Sequence, residues 1–287
     1  MTRRKHRIEL KQSILLVLVL LFGTAARGQT NYSLSFDGVD DIVSVPHSDN
    51  LNFGANNPMT VSFWLKKLSD EETHYLGKRA GQNECSFQIA GTGDLIGIGG
   101  SIGIWSALSI TSPTPLLDTW THVGFTFDGD KVVGYINGTS IDSANGGVLG
   151  PLSSVPLYFG GLVWGTRGDH YDGYLDEISF WNVALTGSQI QYYMTSSPSG
   201  DESGLVGYWN FNEGTGGTLT DQSSNGNNGS IYGATWSEDV PGSIDSYYST
   251  YTFNVTDTVD AAITVSVAAA AAADQAGNTS PALSPYQ

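Results

Sequence analysis

The stretch "WTHVGFTFDGDKVVGYINGTSID", residues 120–142, decides the fold class. Val123, Phe125 and Phe127 alternate with smaller or polar residues, and this spacing predicts a strand with one buried face. The Asp-Gly-Asp sequence at 128–130 predicts a turn, after which the apolar run at 132–136 returns as a second strand. Asn137-Gly138 is typical of a two-residue hairpin turn and predicts a third strand behind it. Consecutive antiparallel strands of this kind indicate an all-β protein.

Short alternating runs separated by turn residues continue on both sides of this stretch. They predict further strands at 59–67, 85–91, 101–110, 155–161, 173–182, 204–213 and 229–236. One helix is predicted near residues 185–194, because Thr186 and Gln189 have the spacing of a capping box. Many strands with a single short helix predict a two-sheet antiparallel β-sandwich rather than a parallel α/β fold.

Three segments are expected along the chain. Residues 1–28 have a basic head, an apolar run too short to span a bilayer and small residues at the end, which predicts a secretory signal peptide. The sandwich is expected over 29–240. Residues 241–287 contain one alternating run and an alanine tract, and are too short to bury a core alone. We therefore expect a secreted or cell-surface protein, with no membrane insertion after cleavage.

The charge of the chain excludes several classes of partner. The formal net charge is −16 at pH 7, and the predicted signal peptide carries six of the twelve Lys and Arg residues. Such a chain repels phosphate backbones and anionic lipids, so nucleic acid is not an expected partner. Scattered carboxylates suit calcium better. Cys85 is the single cysteine, so no intrachain disulfide can form, and its place in an apolar run predicts a packed thiol.

Four segments, taken in order, resemble the laminin G-like jelly rolls of the concanavalin A-like lectin/glucanase superfamily. They are "LSFDGVDDIVSVP", "MTVSFWLK", "WTHVGFTFDGDKVVGYINGT" and "GYLDEISFWNVALTGSQIQ", and the resemblance covers about residues 31–195. It implies an all-β jelly-roll sandwich of two curved antiparallel sheets, often with calcium on one edge. It does not imply one function.

Two later segments also resemble known modules. The segment that begins "GLVGYWNFNEGTGG" is similar to one found beside such domains in bacterial secreted proteins. It either closes this sandwich or opens a second, incomplete copy, and we favour closure because no second Phe-Asp-Gly strand follows. Residues 241–287 resemble the end of a bacterial immunoglobulin-like repeat, and a complete repeat is about twice as long.

The resemblance implies a calcium site. In related jelly rolls the first strand lies beside the last strand of the main run, which would bring Asp37 and Gly38 close to Asp176. Asp40 and Asp41 are second candidates. Calcium binds hard oxygen donors, so these carboxylates and backbone carbonyls fit it as a structural cofactor. The alternative is that Asp37 only closes an Asp-Gly turn.

The loop "VWGTRGDHYDG", residues 163–173, is the segment most typical of a ligand site. It combines aromatic, charged and imidazole side chains between glycines: Trp164, Arg167, Asp169, His170 and Tyr171. Sugars present apolar C–H faces and hydroxyl groups, so an exposed aromatic beside charged groups suits them. The alternative is a structural role for Trp164. The other strand tryptophans, at 64, 120, 181 and 209, are expected in core or rim packing.

The sequence favours a non-catalytic function. Laminarinase-like members of the superfamily use a Glu-x-Asp-x-x-Glu strand, and the chain has no such segment. The leading prediction is a secreted, calcium-stabilised module that binds carbohydrate or a glycosylated surface. A structural or adhesion spacer of a surface protein is the first alternative, and a diverged glycoside hydrolase is the second.

Overall fold

A computed structural model describes residues 31–53, 57–79, 85–100, 107–145, 150, 154–164 and 167–242, with the backbone alone at 163, 164 and 167–169. The predicted signal peptide and residues 243–287 lie outside these ranges. The described residues form an all-β sandwich of two eight-stranded antiparallel sheets with one α-helix, which confirms the predicted fold class. Within the described residues, no helix is long and apolar enough to cross a bilayer.

The first sheet contains the strands β1, β3, β8, β9, β10, β14, β15 and β18. In that order they span Ser33–Asp37, Met59–Lys67, Thr121–Phe127, Lys131–Ile136, Thr139–Asn145, Asp172–Trp181, Leu205–Trp209 and Thr235–Ser237. The spatial order is β10-β9-β8-β3-β14-β1-β18, and β15 also pairs with β14.

The second sheet contains β2, β4, β5, β6, β7, β11, β16 and β17. In that order they span Ile42–Val45, Thr73–Arg79, Cys85–Thr92, Leu95–Gly99, Leu108–Thr111, Leu157–Phe159, Thr218–Leu219 and Gly229–Tyr232. The spatial order is β16-β17-β2-β11-β4-β5-β6-β7. Two further strands, β12 (Gly161–Trp164) and β13 (Arg167–His170), form a separate hairpin.

The core lies between the two sheets and follows the alternation read from the sequence. Val61, Phe63 and Leu65 of β3 are fully buried, as are their neighbours Val123 and Phe125 across the β3–β8 ladder. Because successive side chains of a strand point to opposite faces, one face of each strand supplies this core. Trp181 and Trp209 are buried, and Trp64 and Trp120 are half-buried, in agreement with the expected core or rim packing.

The turn at Asn137-Gly138 has the geometry that its sequence predicts. Both residues have positive φ, 47° and 72°, and they join β9 directly to β10. Positive φ at both central positions is the mark of a type I′ turn, whose twist matches that of the flanking strands.

The single α-helix, α1, spans Gly187–Thr195 and begins with the predicted capping box. The Thr186 hydroxyl accepts a hydrogen bond from the Gln189 N–H, and the Gln189 side chain accepts one from the Thr186 N–H. Ile190 is buried against Trp181 and Tyr208, on the side of the first sheet that faces away from the main core. The helix is therefore an outer cover of that sheet.

The segment after the helix closes the same sandwich. β15 pairs with β14, β17 pairs with β2 and β18 pairs with β1, so these strands extend both sheets. The loop before β17 is tied by Asp221, whose carboxylate accepts hydrogen bonds from the N–H groups of Tyr208, Ser223 and Asn227. Of the two alternatives left open by the sequence, closure is the one observed.

The strand directions define two opposite ends of the sandwich. β1 ends at Asp37 and β14 begins at Asp172, so both residues lie at one end, here called the acidic end. β3 begins at Met59 beside the last residues of β14, and these mark the asparagine end, named for Asn50, Asn52, Asn57 and Asn182.

Candidate functional site

The strand pairing behind the predicted calcium site is present, but its register differs from the one expected. β1 lies against β14, with Asp37 opposite Asp172 and Leu34 opposite Leu175. Asp176 is four residues beyond Asp172, which is about 13 Å along the strand. Asp37 and Gly38 therefore do not converge with Asp176, and the proposed ligand set needs correction. Adjacency of two strands was readable from the resemblance, whereas their register was not.

Asp176 has a different environment, in a bulge of β14. The β3–β14 register shifts between Asp176 and Ser179, and Glu177 has a φ of +51°. Asp176 is buried, and burial raises the pKa of its carboxyl well above the ordinary value, with a further contribution from the Glu177 charge. Its carboxylate accepts a hydrogen bond from the Glu177 N–H at 2.8 Å. Asp176 is thus a buried acid within the first sheet.

A cluster of carboxylates does form at the acidic end, around the turn between β1 and β2. One carboxylate oxygen from each of Asp37, Asp40 and Asp41 lies within 4.8 Å of the others. Gly38, with a φ of +76°, makes the sharp turn that folds Asp40 and Asp41 back toward Asp37. The second candidates of the sequence analysis therefore meet Asp37, and Asp176 does not.

Asp41 is the buried member of this acidic cluster. Its carboxylate accepts a hydrogen bond from the Asp37 N–H at 2.9 Å, and the backbone of Gly233 packs against it so closely that a Cβ there would lie 1.9 Å from Asp41 Oδ1. Burial raises the pKa of the Asp41 carboxyl, and the charges of Asp37 and Asp40 raise it further. Crowded carboxylates with a raised pKa are stabilised by any cation that joins them.

The donor set of this cluster suits calcium. Carboxylate oxygens are hard donors, and calcium accepts irregular geometry with carboxylates and carbonyls together. Asp37 and Asp40 are exposed, so an ion would reach them from solvent. These residues therefore fit a bound divalent cation, with Asp41 as the inner ligand.

The predicted ligand loop forms the hairpin β12–β13, which starts at the acidic end. The Tyr171 N–H donates to the Gly160 carbonyl oxygen at 2.8 Å, which closes the base of the hairpin, and Trp164 pairs with Arg167 at its far end. Leu162 is fully buried against β4, where a Cβ on Gly77 would lie 2.8 Å from Leu162 Cδ2. The side chains of Trp164, Arg167 and Asp169 lie outside the described residues.

The two remaining residues of the predicted ligand set support the hairpin from below. Tyr171 is fully buried between Phe36 and Tyr75, with ring centroids 6.1 and 5.2 Å away, so its side chain is not exposed for ligand contact. His170 is half-buried, and its carbonyl oxygen accepts a hydrogen bond from the Thr73 hydroxyl. Its Nδ1 is buried without a hydrogen-bond partner among the described residues.

The comparison with protein families agrees with this architecture. The family model described as concanavalin A-like lectin/glucanases superfamily, of the laminin G type, matches residues 37–191. The chain belongs to the concanavalin A-like lectin/glucanases superfamily. In this superfamily member, the matched region runs from Asp37 through most of α1, and it contains the acidic cluster and the whole β12–β13 hairpin.

Solved structures with the same fold are distant in sequence. A Bacteroides ovatus protein, named as a candidate for carbohydrate binding, is 17% identical with a TM-score of 0.56. The match covers 72% of this chain and 59% of that protein, so the superfamily member described here spans little more than half its length. The heptameric SAP-like pentraxin of Limulus polyphemus is also 17% identical, with a TM-score of 0.48 over 62% of this chain and 88% of that one. No curated protein sequence matches the chain.

Sequence reasoning missed one group of residues at the asparagine end. Asn50, Asn52 and Asn57 lie between β2 and β3, and Asn182 follows β14 directly. The segment 50–58 contains four asparagines, a density typical of a polar loop, but the proximity of Asn50, Asn52 and Asn57 to Asn182 depends on the tertiary fold.

Proposed function

We propose that this protein is a secreted, non-catalytic module that binds carbohydrate or a glycosylated surface through the β12–β13 hairpin, with calcium stabilising the neighbouring acidic end. The observation that carries the proposal is the hairpin itself. It belongs to neither main sheet, its base is fixed by Leu162 and Tyr171, and Trp164 is paired with Arg167 at its far end.

The local chemistry supports this role. A rigid base lowers the conformational entropy that a loop loses when it binds a ligand. Tryptophan offers a large apolar surface for a sugar ring, and Arg167 and Asp169 offer hydrogen bonds to its hydroxyl groups. Trp164, Arg167 and Asp169 are the proposed contact residues, with His170 at the edge, while buried Tyr171 serves as support.

The proposed calcium site consists of Asp37, Asp40 and Asp41. When bound, calcium would neutralise the repulsion among these carboxylates and hold the turn that lies beside the base of the hairpin. The link between the two features is direct, because the Gly38 N–H donates to the Tyr171 carbonyl oxygen at 3.1 Å. A fixed acidic end therefore also fixes the base of the hairpin.

A glycan array with the purified full chain in calcium-containing buffer tests the proposal. We expect binding to one family of glycans, at least tenfold weaker in Trp164→Ala. The matched control is Tyr192→Ala. This variant removes an aromatic side chain of α1 that is 60% exposed, on the helix that covers the outer face of the first sheet. Thermal melts of both variants establish that they remain folded.

Three results would contradict the proposal. An array without any glycan signal would favour the spacer function instead. Equal binding by Trp164→Ala and the unaltered protein would remove the hairpin as the contact surface. Hydrolysis of a bound glycan would show that the module is catalytic after all.

A further inference from the structure

A polar depression at the asparagine end has the composition of a second ligand site. It has a volume of about 400 Å³ and is lined by Asp49, Asn50, Asn52, Phe53, Asn57, Pro58 and Asn182. Binding sites for small ligands have volumes of roughly 300–1,000 Å³, so this one suits a ligand of one or two sugar rings. We infer that this depression, the asparagine pocket, binds a neutral mono- or disaccharide independently of the β12–β13 hairpin.

The fold holds the Asn50 side chain and the Asn182 backbone of the asparagine pocket in place. Asn50 Oδ1 accepts a hydrogen bond from Asn227 Nδ2 at 3.2 Å, and Asn227 is itself fixed because its N–H donates to Asp221. The Asn182 N–H donates to the Gly204 carbonyl oxygen at 2.8 Å. A side chain positioned as Asn50 is loses little entropy when a ligand binds.

The loop under the pocket is anchored in the main core. Phe53 is 3% exposed, and its ring stacks on Phe180 at 6.1 Å and meets Phe87 at 6.3 Å. Its carbonyl oxygen also accepts a hydrogen bond from the Ser86 hydroxyl. Phe53 is thus part of the floor of the asparagine pocket, and the lining side chains that face solvent are polar.

The carboxamide groups and the charge of the asparagine pocket favour a neutral sugar as its ligand. A carboxamide offers two N–H donors and a carbonyl acceptor, and a sugar hydroxyl both donates and accepts, so several amides match adjacent hydroxyl groups. None of the described lining residues carries a positive charge, and Asp49 carries a negative one. An anionic sugar would therefore be repelled, and a neutral one is expected.

The position of Asp49 at the rim is supported by a short relay. Lys78 Nζ lies 2.8 Å from His47 Nδ1, and His47 Nε2 lies 3.5 Å from Asp49 Oδ1. An ammonium group only donates, so His47 Nδ1 accepts and its Nε2–H faces the Asp49 carboxylate. Asp49 is fully exposed and remains open to hydroxyl groups of a ligand.

The asparagine pocket is separate from the proposed hairpin contact. Strand β14 runs from Asp172 at the acidic end to Trp181 at the asparagine end, and it spans about 30 Å between them. Gly160 and Tyr171, which form the base of the hairpin, lie at the acidic end. Substitutions at one site can thus be tested without altering the other.

Ligand-observed NMR with defined sugars tests the inference. The probes are D-glucose, D-galactose, D-mannose, N-acetyl-D-glucosamine and cellobiose, with D-glucuronate as the anionic counterpart of glucose. We expect at least one neutral probe to bind the full-length protein with a Kd in the millimolar range, since none of the described lining residues is an exposed aromatic that could stack on a sugar. Glucuronate should bind at least tenfold more weakly than glucose if glucose binds, and Asp49→Asn should reduce that difference.

The matched variants are Asn57→Ala and Asn182→Ala, both at exposed side chains, with Asn145→Ala as an exposed asparagine outside the pocket. We expect at least a tenfold loss of affinity in the first two and no change in the third. Failure of all neutral probes to bind, or binding that survives both pocket substitutions, would overturn the inference. Sugar binding that is lost in Trp164→Ala but kept in Asn182→Ala would support the hairpin and also overturn the pocket.

Discussion

Asp37 lies directly opposite Asp172 across the β1–β14 ladder, and Asp41 folds back to accept a hydrogen bond from the Asp37 N–H. The acidic end therefore gathers carboxylates from a turn and from the adjacent strand. Its properties, and those of three other local features, lead to the following predictions.

Calcium is expected to raise the melting temperature. A ligand that binds only the native state at 100 times its Kd stabilises it by about 2.7 kcal/mol. For a domain of this size that corresponds to a shift of roughly 5–10 °C. Differential scanning calorimetry of the protein in EDTA and in millimolar calcium measures the shift.

Asp40→Asn should remove most of the calcium-induced rise in melting temperature, because it deletes one exposed ligand without disturbing a buried contact. Asp130→Asn, at an exposed turn position outside the acidic end, should retain the full response. The calcium site is wrong if the unaltered protein melts at the same temperature in both buffers.

Asp176 should destabilise the fold at neutral pH. Its pKa is raised by burial in the native state, so the native state holds its proton more tightly than the unfolded chain does. The stabilisation that the native state gains by holding this proton is therefore complete below the pKa of Asp176 in the unfolded chain. It is lost as pH rises through the pKa of Asp176 in the native state. Asp176→Asn keeps an oxygen to accept from the Glu177 N–H and removes the charge.

The Asp176→Asn variant should melt about 3 °C or more above the unaltered protein at pH 8, a gain that about 1 kcal/mol produces in a domain of this size. The difference should shrink toward pH 4, near the unfolded pKa of about 3.9, where Asp176 keeps its proton in the native state and is about half protonated in the unfolded chain. Melting curves of both proteins between pH 4 and pH 8 measure this difference. An Asp176→Asn variant that is less stable than the unaltered protein at pH 8 would contradict the prediction.

A side chain at position 138 should destabilise the protein. Its φ is +72°, and a Cβ there would lie 2.9 Å from Gln191 Cγ, so Gly138→Ala adds backbone strain and a contact with α1. We expect a loss of about 1–3 kcal/mol in the free energy of unfolding, measured with urea.

Two other glycines separate the causes. Gly226 has a φ of +71° but open space around its Cβ position, so Gly226→Ala should show the strain alone. Gly217 has open space and no positive φ of this kind, so Gly217→Ala should be close to neutral. Equal losses in all three would refute the assignment.

Asp221 should be structural rather than a metal ligand. Its carboxylate accepts from three backbone N–H groups and from the Ser223 hydroxyl, so Asp221→Ala leaves several buried donors unpaired. Each unpaired buried donor costs about 1–3 kcal/mol, and we expect a total loss of at least about 3 kcal/mol. Urea unfolding with and without calcium should give the same loss; a loss confined to the calcium-containing buffer would indicate a metal ligand.

Much of the fold could be predicted from local patterns. The type I′ turn at Asn137-Gly138, the capping box of Thr186 and Gln189, and the buried face of β3 each depend on residues close in sequence. Their geometry was therefore readable without knowledge of the tertiary structure.

The site was less predictable because it depends on register and on distant contacts. The resemblance implied Asp176 as a ligand, whereas Asp172 is the residue opposite Asp37, because a strand pattern gives its faces but not its offset against a partner. Tyr171 was counted as a ligand residue because an aromatic in a glycine-rich loop does not reveal whether the core covers it. The approach of Asn182 to the 50–58 loop likewise follows only from the pairing of β3 and β14.

The pairing of β1 with β18 brings Ser33 opposite Ser237, so the polypeptide enters and leaves the sandwich at neighbouring points of one sheet. A module with this geometry can be inserted into a loop of another protein without separating the flanking chain segments. Tension applied at the two points would act on the β1–β18 hydrogen bonds one at a time and peel β18 away first. The shell of the other strands would then carry the load only after β18 had detached.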